Sequence, residues 1–278
     1  MKTWRLIIDV ERCLDCNNCT LACKDEHVDN AWQGYTINQP RHGQRWIDVE
    51  RTERGQFPLI DVAYRPVLCM HCEDAPCVTA SGGAIKRRED GIVLIDPAKA
   101  RGKQYLVESC PYRQIWWNEA EQTPQKCTFC AHLIDEGWKQ PRCVQACPTG
   151  ALDAQQLEDS AIERRAKAEN LKRLHPEYNA NPRVYYRNLY RFTSCFLGGS
   201  LATMNNGIEE CVSGAEVSLL HNGHEVEKTV SDCFGDFRFD QLVAGEDYSV
   251  RVVVEGQPAK TLFFQNMQKC SSLGTIFI

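Results

Sequence analysis

Cys13, Cys16, Cys19 and Cys23 stand in a C-x2-C-x2-C-x3-C run. Iron bridged by sulfide takes soft thiolate ligands, four to a cubane. Three cysteines at such short gaps reach three corners of one cube from a single tight loop. The fourth cysteine of such a run ordinarily ligates a neighbouring cluster. The run therefore predicts a second cluster and a second cysteine-rich segment. Two more segments follow. Cys127, Cys130, Cys143 and Cys147 read C-x2-C-x12-C-x3-C, with Pro148 after the last thiol. Cys69, Cys72 and Cys77 read C-x2-C-x4-C, and Cys110 precedes Pro111.

Twelve of the sixteen cysteines lie in the first 147 residues, enough for three cubanes. The exchange rule assigns Cys13, Cys16, Cys19 and Cys147 to one cluster. Cys23, Cys127, Cys130 and Cys143 form its neighbour, and Cys69, Cys72, Cys77 and Cys110 the third. Four-thiolate zinc sites share the C-x2-C spacing, but the first run is a poor zinc pattern. Cys195, Cys211, Cys233 and Cys270 have long, irregular spacing and read as small buried or free thiols. His71, between Cys69 and Cys72, reads first as a residue that hydrogen-bonds locally or faces a partner, and second as one that tunes or ligates a cluster. Trp32, Trp116 and Trp117 read as core or interface aromatics.

The elements that must hold these loops are short. Strands are expected near residues 4–9, 45–51, 60–66, 92–95 and 115–118, with a hairpin over 84–95 turning at Asp90-Gly91. A polar helix is expected over 155–173, ended by Pro176, and an extended stretch over 181–186. Near residue 190 the composition changes. Ala215, Val217 and Leu219 alternate with polar residues, Asn222-Gly223 signals a hairpin, and Tyr248, Val250, Val252 and Val254 alternate again. A last strand is expected over 273–278. The fold class is α+β: a ferredoxin-like multi-cluster domain over 1–190, whose clusters act as staples, then a small all-β sandwich of six or seven strands over 191–278.

A net charge of −5 argues against a nucleic-acid partner. No stretch approaches the length of a membrane span. The chain runs from Met1 straight into the first cysteine motif, so a reducing, cytoplasmic setting is expected. There is no Gly-rich dinucleotide loop, no phosphate-binding loop and no nucleophile with a recognisable base. The chain thus reads as a redox relay, non-catalytic by itself, that serves a catalytic partner.

The nested cysteines resemble the iron–sulfur subunits of the dimethyl-sulfoxide-reductase family of molybdenum enzymes. Tyr64-Arg65-Pro66, the stretch from Cys69 to Cys77, and Asn181-Pro182-Arg183-Val184-Tyr185-Tyr186 carry that resemblance over residues 1–190. A four-cluster member of that family would need a cysteine at Ser81 and three more before Cys110. Both halves of one cluster are missing together. The stretches 13–19 and 46–55 are similar to the small subunits of phenol transhydroxylases. Asp232-Cys233-Phe234-Gly235-Asp236-Phe237 and Gly245-Glu246-Asp247-Tyr248 resemble a sandwich of the prealbumin or carboxypeptidase-regulatory type.

The resemblance implies three [4Fe–4S] clusters here and a large catalytic subunit holding molybdenum through two pterin guanine dinucleotides. Hydroxyl transfer or hydroxylation on phenolic rings of the pyrogallol, phloroglucinol or resorcinol type would occur there. Heterodimers and higher assemblies of them are the expected partners. Two other readings stand beside this one. One is a respiratory relay to a membrane quinone anchor; the other is a non-catalytic metal-binding scaffold.

Overall fold

A computed structural model describes every residue of the chain except 255 and 257. The chain divides into two compact units, residues 1–50 with 64–189, and residues 51–63 with 190–278.

The first unit is organised by the strand Thr3–Asp9, every residue of which is buried. It pairs antiparallel with Leu152–Leu157 and parallel with Val184–Arg187. Side chains alternate across a strand. Ile7 packs on one face against Ile162, Leu171 and Tyr185, while Leu6 lines a cavity on the other with Cys23, Cys127, Cys130 and Cys143. One strand thus separates a small apolar core from the cysteine loops.

The expected helix over 155–173 is corrected. Residues 152–157 form a strand, and the helix spans only Asp159–Ala168. Leu152 and Ala154 are buried in alternation and pair with Ile8 and Leu6, so tertiary pairing overrides the helix-forming run of glutamines. Asn170, left-handed at φ 49°, follows the helix, well before Pro176. The hairpin near Asp90-Gly91 forms, with strands Ile85–Arg87 and Val93–Ile95. Gly91 takes φ 89°, and the Asp90 carboxylate accepts from the Ile92 N–H.

In the second unit two four-stranded sheets share one core that includes Phe196, Leu201, Val217, Phe239 and Val250. His224–Val230, Glu216–His221, Tyr248–Val253 and Lys260–Phe264 form an antiparallel sheet in that order. The other sheet is built on Cys195–Asn205. Ile208–Cys211 and Asp236–Leu242 pair with it antiparallel, and Ser271–Phe277 pairs parallel.

The described strands after residue 190 number eight, against the six or seven expected. Cys195–Asn205 was hidden by Gly198-Gly199, a weak strand signal. Both glycines are close-approach positions. A Cβ at Gly198 would stand 2.7 Å from Leu59 Cδ2, and one at Gly199 would stand 2.9 Å from Leu273 Cβ. Asp61 is the ionic hub of this unit. It accepts from Arg54 at 3.0 Å, Arg191 at 2.6 Å and Arg238 at 3.0 Å. Among the described residues no helix is long and apolar enough to cross a membrane.

Candidate metal centres

Each cysteine turn contains residues forced into the left-handed backbone region. They are Asp15 and Asn17 in the first, His71 in the second, Arg113 after Cys110, and Phe129 with Cys130 in the third. Bulky side chains adopt positive φ at a cost, and such strain concentrates at functional sites. The turns curl tightly enough that backbone N–H groups reach sulfur. Phe129 N–H donates to Cys127 Sγ at 3.3 Å, and Gln114 N–H to Cys110 Sγ at 3.5 Å. Asn17 opens the helix Asn18–His27, which carries Cys19 and Cys23 one turn apart.

Burial and neighbouring thiols together perturb these cysteines. Burial pushes the Cys13 thiol up, and Cys147 and Cys16 add to it. Burial likewise pushes Cys19 up to about 11, with Cys13 and Cys147 contributing. Cys23 is raised well above its usual range by burial and then by Cys127 and Cys130. Cys143 is raised by burial and by Cys130, Cys127 and Cys23. Cys130 is pushed up to about 12, mainly by burial, with Cys127 adding and Arg142 opposing.

Cys72 is raised by burial and by Cys69, Cys110 and Cys77. Burial is the main cause at Cys77 and Cys110 too, with Cys69 contributing at both. Cys147 goes the other way. Burial raises it, but donors from Thr149, Leu152 and Ala151 more than reverse that. Cys19 also acts on Cys23 and Cys143, and at Cys127 the one thiol among the causes is Cys69.

The donor chemistry fits iron–sulfur cores. Thiolates crowded in a buried site repel one another and stay protonated unless a cationic centre takes them. Among the described residues no group of three or more His, Cys, Asp or Glu side chains converges on a single ion. A cubane asks for something else, one thiolate at each of four separated corners. The cavity lined by Cys23, Cys127, Cys130 and Cys143 is closed by Leu6, Trp46, Ile47, Leu68 and Phe129, an apolar wall that keeps water away. Of the twelve cysteines singled out, nine are buried, Cys110 and Cys147 are half-buried, and Cys16 is exposed.

The remaining four are also free thiols. Cys195 and Cys270 are buried, Cys211 and Cys233 exposed. His71 makes the expected local hydrogen bond, its Nδ1 accepting from Val93 N–H at 3.0 Å. Trp32 stacks on His132 at 4.2 Å between ring centroids. Lys24 continues a helix where a proline would break it, and its ammonium donates to the Pro40 carbonyl at 2.8 Å. Gly82 takes φ 59°, a value closed to proline.

Ser81 is fully buried and satisfied, its hydroxyl donating to Val78 O and accepting from Ile85 N–H. Lys103 donates to the Ser81 carbonyl at 3.2 Å, and Ala100 and Leu106 are fully buried beside that contact in sequence. Lys126, directly before Cys127, is 3 % exposed and escaped sequence reasoning. A lone lysine beside a cysteine motif carries no sign that it is buried.

Residues 60–157 match the 4Fe-4S dicluster domain family. The pyrogallol hydroxytransferase small subunit of Pelobacter acidigallici is 45% identical over 260 residues, covering 92% of this chain and 93% of the relative. A chain of Halobacterium salinarum that carries the name of a dimethyl sulfoxide reductase iron–sulfur subunit is 34% identical over 212 residues, covering 68% of this chain and 80% of its own length. A subunit of the tetrathionate reductase of Salmonella typhimurium is 34% identical over 193 residues, with 67% and 72% covered.

Proposed function

We propose a function on the premise that this chain belongs to the family of iron–sulfur subunits of dimethyl-sulfoxide-reductase-type molybdenum enzymes: it is the electron relay of a large catalytic subunit. Cys13, Cys16, Cys19 and Cys147 hold a first [4Fe–4S] cluster. Cys23, Cys127, Cys130 and Cys143 hold a second, and Cys69, Cys72, Cys77 and Cys110 a third. When bound, each cubane changes oxidation state by one electron with little ligand movement.

The observation that carries this reading is the cavity in which Cys23, from the first run, stands with Cys127, Cys130 and Cys143 of the last. Cys19 and Cys23 lie on one helix and so join the first set to the second. The protein's part is to bind, to exclude water, and to aim N–H donors at sulfur. The buried Ser81, Ala100 and Leu106 support a count of three, because side chains fill the stretches where a fourth set would need thiols.

The partner holds molybdenum through two pterin guanine dinucleotides and acts on phenolic rings, by hydroxyl transfer or hydroxylation. The relative named for pyrogallol hydroxytransferase supports that substrate class. Cys16 is exposed, and so are Leu14 and Leu21 of the same cysteine run, at 67 % and 64 %. These residues are where the large subunit docks. The second unit is a prealbumin-like sandwich. Sixteen unpaired cysteines fit a reducing cytoplasm.

Anaerobic redox titration of the purified complex, followed by electron paramagnetic resonance, tests the relay. Three one-electron signals that appear and vanish reversibly are expected. Signals that never reduce reversibly would leave only a scaffold.

A further inference from the structure

Lys126 is buried beside the second and third cysteine sets. Its ammonium donates to the backbone carbonyls of Val93 and Cys127, the latter at 3.0 Å. Among the described residues none of its partners is a carboxylate. A buried charge without a counter-charge is expensive, so its compensation must come from something else nearby.

Val93 also ties Lys126 to His71, which is 4 % exposed and lies between Cys69 and Cys72. Val93 N–H donates to His71 Nδ1, which places the ring proton on Nε2. That Nε2–H is buried and has no partner. The His71 ring meets Phe129 edge-on at 5.4 Å between centroids, and Phe129 belongs to the Cys127–Cys130 turn. An ammonium without an anion and a ring N–H without an acceptor thus share one backbone residue, between the Cys69–Cys72 and Cys127–Cys130 turns. Both lack what a cluster with four thiolates has in excess: negative charge and sulfur acceptors.

We propose that Lys126 and His71 raise the reduction potential of the cluster held by Cys69, Cys72, Cys77 and Cys110, so that electrons collect there. The inference rests on the three-cluster reading above. Reduction adds one electron to this cluster and removes one from its neighbour, with no proton moved. The fixed ammonium and the N–H balance the added charge.

The test is the redox titration of the complex with Lys126→Gln, Lys126→Arg and His71→Asn, asparagine being at ease at the φ of 43° that His71 adopts. Lys126→Gln keeps a donor for the carbonyls and loses the charge. It should shift the oxidised-to-reduced ratio of the third cluster at fixed potential by about tenfold or more, 59 mV for a one-electron couple. The first cluster should stay unmoved and Lys126→Arg should stay near wild type. His71→Asn should move the same cluster in the same direction.

An unshifted third signal in Lys126→Gln would overturn the proposal. If Lys126→Gln fails to load that cluster, loading in Lys126→Arg supports a role for the charge. Failure of both variants overturns it, because the site then needs the lysine as a strap. A wild-type complex with no third signal would instead sink the three-cluster reading.

Discussion

Cys147 is the residue at which the proposed ligand exchange is most exposed to test. It follows Cys143 by four positions, yet the exchange assigns it to the cluster of Cys13. Cys147→Ser should therefore damage the first cluster's paramagnetic signal and leave intact the one bound by Cys127, Cys130 and Cys143. The opposite loss would refute the exchange. Spacing alone suggested this exchange, because a cysteine pattern is a list of candidate ligands. Lys126 was not legible, since nothing in a residue's name states its burial, while His71 stood out by its place between Cys69 and Cys72.

Asp61 makes a different prediction at the same scale. Burial pushes its carboxyl up, but Arg238 and Arg191 more than reverse this and hold it below the usual range. A depressed folded value adds stability that is complete above the unfolded value, near ~3.9, and is lost as pH falls through the folded one. The thermal stability of the second unit should therefore fall as pH drops below about 4. Asp61→Asn should remove that acid sensitivity, and at neutral pH it should cost about 1–3 kcal/mol by weakening the ion-pair cluster, in which Arg54 and Arg238 keep Asp240.

Among the elements, the strands with plain alternation were readable and those decided by partners were not. Val250 and Val252 alternate and face the core, as their spacing implies. The strand Leu152–Leu157 carries Gln155 and Gln156, good helix formers, and becomes a strand only because Thr3–Asp9 offers it a ladder. Cys195–Asn205 contains two glycines because Leu59 and Leu273 come too close for a side chain. Gly235 is the sharper case. It sits at φ 80°, and a Cβ there would collide with the Leu201 carbonyl oxygen. Gly235→Ala should destabilise the second unit by about 2 kcal/mol or more, visible as a lower melting temperature. An unchanged melting temperature would show that the turn relaxes freely.

At the scale of the whole molecule, the chain is a conductor that makes sense only with a partner. Leu14 and Leu21, exposed in the first cysteine run with Cys16, are the proposed contact. Leu14→Glu combined with Leu21→Glu should reduce co-purification of the large subunit at least tenfold, since buried interface charge without a partner costs several kcal/mol. Equal recovery would move the docking face elsewhere. The electron path itself depends on one inorganic inventory. Iron and acid-labile sulfide should be counted in anaerobically purified complex, per copy of this chain and after correction for the partner's own content. The account predicts about twelve of each; a count near eight or four, or zinc in place of iron, would contradict it.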